Sequence, residues 1–152
     1  MRAYGDTLIV AVDAGYGNMK TANCSFPTGL SVYDEKPFFT ENLLVYNGRF
    51  YVIGSGHKEF TSQKIVDEDY YVLTLAAIAR EMNTQHLTTA KILLAVGLPL
   101  TWFVKQQATF REYLVRNRKM AAKVAIRGTL KTSRSVIRPR RSPARRLAVP
   151  TV

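Results

Sequence analysis

At 152 residues the chain has room for one domain of ordinary size, and its formal net charge of +11 is unevenly spread. Residues 1–115 carry 10 lysines and arginines against 11 acids, whereas residues 116–152 carry 12 and no acid. A lone cysteine, Cys24, excludes an intrachain disulfide, and no aliphatic run exceeds five residues, which argues against a membrane-spanning helix and leaves the cytoplasm as the expected compartment.

Residues 8–12 form an apolar run that reads as a buried strand. It stops at Asp13, and the chain turns through Gly15 and Gly17 before reaching Lys20. Residues 19–26 read as a second strand ended by Pro27. The pair makes a β-hairpin in which the two glycines are expected to supply backbone angles that other residues avoid. Residues 30–33 suggest a third short strand. Residues 43–46 and 49–53 flank Asn47-Gly48, the preferred two-residue hairpin turn because both central residues need positive φ.

From 67 to 82 the pattern becomes helical, opening on Asp67, Glu68 and Asp69, which complement the positive end of the helix dipole. Apolar residues lie nearly all round it, as in a buried helix. Residues 91–96 are a continuous apolar strand of the kind found inside a sheet covered on both faces. After Gly97-Leu98-Pro99, Thr101 is placed to cap a helix running to about Val115, with Phe103, Ala108, Phe110, Tyr113 and Leu114 at its apolar positions. The order of elements predicts an α/β fold with a mixed sheet, a parallel addition to an antiparallel start.

Past Arg116 no acid occurs, no aromatic follows Tyr113, and Pro139, Pro143 and Pro150 interrupt an arginine-rich run. Such a composition buries too little apolar surface to offset chain entropy, and the final ~25 residues are expected to be disordered. Two units result: a domain over 1–115 and a basic tail over 116–152.

Two stretches carry candidate chemistry. Asp13, Gly15, Tyr16, Gly17, Asn18 and Lys20 together suggest a phosphate cradle, in which backbone N–H groups wrap the anion, the lysine meets its charge and the acid faces Mg²⁺ or its waters. The spacing is neither that of a Walker A loop nor, with Lys20 where a third glycine is needed, that of a dinucleotide fingerprint. A plain hairpin turn is the competing reading. In the tail, Arg138, Arg140, Arg141, Arg145 and Arg146 would hold nucleic-acid phosphates without sequence preference, although no aromatic is present there to stack on bases. A small non-enzymatic nucleic-acid-binding protein is therefore the alternative function, weighed against a merely solvated run. His57 and His86 lack metal-ligand partners at suitable spacing, Cys24 reads as a small buried hydrophobe, and Ser55 lacks a nucleophile elbow.

Three pieces resemble the N-terminal domain of bacterial actin-like ATPases of the ParM (StbA) plasmid-segregation type. Residues 12–20 look like the family's first phosphate loop, D-x-G-x-(G/T)-N-x-K. Asp69-Tyr70-Tyr71 leading into residues 73–79 is similar to its buried helix, and Ala95-Val96-Gly97-Leu98-Pro99-Leu100 resembles the strand and GLP turn that follow. The resemblance implies an actin-like, RNase H-like first domain: a mixed sheet with β-hairpins and flanking helices, followed here by the disordered basic tail. It also implies ATP and Mg²⁺ as cofactors. Asp13 would lie near the metal, directly or through water, with the phosphates at residues 15–18 and Lys20. The implied partners are actin-like subunits of the same family. A complete member is about twice this length, and the tail departs from the family's strand pair after residue 114. A frame-shifted or truncated gene, with weak ATP binding and no detectable hydrolysis, is expected on that ground, along with self-association through the face meant for a second domain.

Overall fold

A computed structural model describes residues 2–38, 41–55, 68–98, 100–126 and 129–137. The chain opens with β1 (Arg2–Tyr4) and β2 (Thr7–Ala14), paired antiparallel around Gly5 and Asp6, with Gly5 at φ +59°. Strand β1 escapes the sequence pattern because three residues are too few to show a period. The expected strand over 19–26 is instead two, β3 (Asn18–Lys20) and β4 (Ser25–Pro27), joined by a tight turn at 21–24. Next come β5 (Leu30–Tyr33), β6 (Leu43–Tyr46) and β7 (Arg49–Ile53). Between β6 and β7 the Asn-Gly turn is as expected, with φ of 49° at Asn47 and 77° at Gly48.

Helix α1 (Glu68–Thr84) is buried from Tyr70 through Ala79, so its apolar girth is used on all sides. Strand β8 (Thr89–Val96) then returns parallel to β2, with Val10 beside Leu94 and Val12 beside Val96. Helix α2 (Leu100–Val115) buries Phe110, Tyr113 and Leu114 but exposes Ala108, and Thr101 lies within it rather than capping it.

The chain beyond Arg116 is not the structureless tail its composition suggests. Lys119–Ile126 and Thr129–Ile137 are strands β9 and β10, an antiparallel hairpin in the middle of the sheet, whose order is β4-β3-β2-β8-β10-β9-β6-β7-β5. Their residues alternate: Met120, Ala122, Ser133, Ser135 and Ile137 are buried, while Lys119, Lys123 and Arg134 are exposed. A strand turns successive side chains to opposite faces, so the cations share one side and leave the other apolar enough to meet α1. Any tail therefore begins no earlier than residue 138, and residues 138–152 lie outside the described residues.

Tyr71 ties this hairpin to the helices. Its ring lies 6.1 Å from that of Tyr46 and 5.9 Å from that of Tyr113, and its hydroxyl donates to Met120 Sδ at 3.2 Å. The Arg116 guanidinium covers the same ring at 3.9 Å while pairing with Glu68. Burial pushes the Tyr71 phenol from its ordinary 10.0 up to about 12. The folded chain thus keeps that proton where the unfolded chain releases it. The contribution to stability is whole below pH 10 and is lost as pH rises toward 12. Melting temperature followed across that range should fall for the native chain and fall less steeply for Tyr71→Phe.

Among the described residues only one face of the sheet is covered. Val10, Val12, Ile92 and Ile137 are buried on the side of α1. On the opposite face Ala11, Lys91, Ala95, Ala121 and Arg134 are exposed, and Val136 is 37% exposed. Strand β8 is accordingly covered on one side among the described residues, not on both as its apolar run implies.

Candidate phosphate-binding loop

The loop at the end of β2 is positioned by strand register. Asp13 pairs with Lys20 and Ala14 with Met19 across β2 and β3. Residues directly opposite one another share a face, so Met19 and Ala14 turn into the core while Asp13 and Lys20 stand side by side on the open face, both exposed. A carboxylate and an ammonium are thereby presented together at the mouth of the Gly15–Gly17 turn.

The glycines serve differently from expectation. Neither Gly15 nor Gly17 is among the described glycines with positive φ, which are Gly5, Gly48 and Gly54. Gly15 is required by space: a Cβ there would lie 2.7 Å from the Asn18 carbonyl oxygen. At Gly17 a Cβ would meet nothing within 4 Å, and both Gly17 and Asn18 are exposed. Buried Thr28 holds the turn from beneath. Its hydroxyl donates to Gly15 O at 2.8 Å and its N–H to Gly17 O at 3.0 Å. Tyr16, partly buried in the turn, has its phenol pushed up by burial.

The arrangement fits a phosphate group with a divalent cation. Open space lies over Gly17, a cation stands at Lys20, and Asp13 offers one hard oxygen ligand. No group of three or more His, Cys, Asp or Glu residues is placed to hold a metal among the described residues. A magnesium ion here would take one carboxylate and complete its shell with water and phosphate oxygens, which is its usual habit beside nucleotides.

The arginines Arg138, Arg140, Arg141, Arg145 and Arg146 lie outside the described residues, as does His57. Cys24 is half-buried and its thiol is pushed up chiefly by burial, the opposite of nucleophile activation. Ser55 Oγ donates to Val52 O at 2.8 Å and lies 2.9 Å from Ser31 Oγ, closing the end of β7. No described helix is long and apolar enough to cross a membrane.

Four residues behind the loop carry no motif in the sequence: Thr28, Thr21, Asn23 and Glu81. The last is a carboxylate on α1, 1% exposed, that accepts hydrogen bonds from the 21–24 turn. An acid set beyond the first turn of a helix with apolar residues all round it was the available signal, since a buried acid demands donors.

Comparison with known proteins bears on the fold around this loop. The family described as the N-terminal domain of actin-like proteins matches residues 11–139, so the match continues 24 residues past Val115 and takes in both β9 and β10. The chain belongs to that family. Among solved structures, the pSK41 ParM protein in its apo form is similar with a TM-score of 0.64 at 15% identity, over 87% of this chain and 49% of that one. Bacillus thuringiensis ParM with ATP gives 0.64 at 12% identity, over 88% and 43%. The actin-like protein Alp7A gives 0.57 at 18% identity, over 85% and 42%. The expected actin-like fold is thus borne out, and the chain spans less than half the length of these structures. No curated protein matches the sequence.

Proposed function

We propose that this chain binds Mg-ATP at the Asp13–Lys20 loop as the first domain of an actin-like filament subunit, acting in the cytoplasm in plasmid or mobile-element segregation. The register that sets Asp13 beside Lys20 at the mouth of the glycine turn carries the reading. Backbone amides of residues 15–18 would hold the phosphates, and Lys20 would meet their charge. Asp13 would orient Mg²⁺, directly or through water, and the metal would supply charge neutralisation between phosphate oxygens. Thr28 supports the loop by engaging the carbonyls of Gly15 and Gly17, keeping two acceptors from facing an anion. Solved neighbours include one ParM with ATP and an Alp12 filament, which favours nucleotide and same-family subunits as the partners.

Calorimetry of Mg-ATP binding to the full chain tests the reading. A charge-assisted contact is worth about 1.5–3 kcal/mol, so Lys20→Ala is expected to weaken binding roughly 10- to 100-fold. Equal affinity in the two proteins would sink the assignment.

A further inference from the structure

Strand β3 has little sheet pairing to hold it, and of its three residues only Met19 is anchored in the core. It is three residues long and meets β2 at only two positions, Asp13↔Lys20 and Ala14↔Met19. Its other neighbour, β4, is equally short and lies at the sheet's edge. Yet β3 carries Lys20, whose place decides whether a cation stands beside Asp13. Something beyond sheet pairing must fix it.

Glu81, one turn from the end of α1, is placed to do so. Its Oε1 accepts from Asn23 Nδ2 at 2.6 Å, and its Oε2 accepts from Thr21 Oγ1 at 2.7 Å and from Asn23 N at 3.3 Å. Both partners lie in the turn that directly follows Lys20. That turn is internally closed as well: Thr21 N donates to Cys24 O at 2.8 Å and Cys24 N donates to Thr21 Oγ1 at 3.0 Å. It is therefore a stiff unit docked on one carboxylate from a helix about 60 residues later, through contacts 58 and 60 residues apart in sequence. At 1% exposure an ionised carboxyl is costly unless donors surround it, and this one is surrounded from a single side of the molecule. The preceding residue, Arg80, stands over the Phe26 ring at 4.4 Å and donates to Asn42 Oδ1 at 2.9 Å, so α1 also presses on β4.

We infer that Glu81 is a positioning residue for the nucleotide site, clamping the Thr21–Cys24 turn to α1 so that Lys20 is held opposite Asp13. The inference rests on the nucleotide reading above for its ligand, but the clamp itself can be measured without one.

The test uses the full chain, with Glu81→Gln, Lys20→Ala and the double variant, and Mg-ATP as the probe. A Gln at 81 turns an amide NH₂ toward donors, so amide exchange over residues 18–27 should accelerate at least about 10-fold, while exchange over β8 stays as in the parent. Mg-ATP affinity should fall about 10-fold in Glu81→Gln alone. In the Lys20→Ala background the same change should cost nothing further, because Glu81 acts through Lys20. A residue that merely stabilised the fold would weaken both backgrounds alike, and that result overturns the inference. Unchanged exchange over 18–27 overturns it too. Accelerated exchange in a chain whose parent binds no Mg-ATP would leave the clamp standing and remove the nucleotide role, separating the two failures. Asn23→Ala, made from the exposed side of the same contacts, is held to the same outcomes if Glu81→Gln does not fold.

Discussion

Cut after Arg116, the chain is expected to lose its cooperative melting transition. That cut falls where composition marks a domain boundary, yet it removes β9 and β10 from the centre of the sheet. What remains is β4-β3-β2-β8 with β1 on one side and β6-β7-β5 on the other, with no strand joining them. Strand groups this small, deprived of a shared core, are marginal on their own. The cut also strips Met120, Ala122 and Ile137 from beneath α1. Each large core side chain lost costs about 2–5 kcal/mol, against a whole-domain stability of about 5–15 kcal/mol. Far-UV circular dichroism during heating checks this, with a chain ending at Pro139, the limit of the family match, as the comparison. The shorter protein should show no sigmoidal transition and the longer one should melt as the full chain does. A cooperative melt in residues 1–116 would show that the hairpin is dispensable.

Gly15→Val should cripple both stability and ligand binding, whereas Gly17→Ala should leave the fold alone. At Gly15 the first added carbon already meets the Asn18 carbonyl at 2.7 Å, and that oxygen belongs to backbone at the start of β3. It cannot swing aside as a side chain would. The turn must open, at a cost of roughly 1–3 kcal/mol for an overpacked site, and Lys20 moves with it. At Gly17 a methyl group has open space and no forbidden φ to contend with. Only a ligand would feel it. Thermal melts and Mg-ATP calorimetry on both variants separate the two effects. A drop in melting temperature at Gly15 but not Gly17, with affinity reduced in both, is the expected pattern. Unchanged affinity in Gly17→Ala would place the phosphates elsewhere.

The strands and helices that the sequence revealed are those with a strong local signal. Asn47-Gly48 between apolar runs, the apolar girth of α1 and the run ending at Val96 each declare themselves within a dozen residues. The turn between Asp13 and Lys20 was legible because Gly15 and Gly17 fall between two strand-forming runs, which the β2–β3 pairing bears out. The basic hairpin was not, because charge was averaged over 116–152 when the informative quantity was alternation: Lys119, Met120, Ala121, Ala122, Lys123 reads as a strand once the faces are separated. The role of the glycines was half legible. Sequence marks the positions, but whether a glycine is needed for φ or for space depends on where Asn18 O comes to lie. Glu81 was illegible as a partner of Thr21 and Asn23, since nothing local links residues some 60 positions apart.

The place of β10 bears on how such a chain can be made. Synthesis runs from the N-terminus, and the strand that joins β8 to the β9 side of the sheet is the last one described. Until Ile137 has emerged, β2 and β8 on one side and β6 and β7 on the other have no common neighbour. The sheet cannot close progressively as it is translated. It must wait as two halves, with open strand edges, and then accept a hairpin between them. Contacts of such long sequence separation fold slowly and leave edges available to other chains in the meantime. For this protein the hazardous interval lies in the time before β10 arrives, and a pause in translation just upstream of β10 would lengthen it.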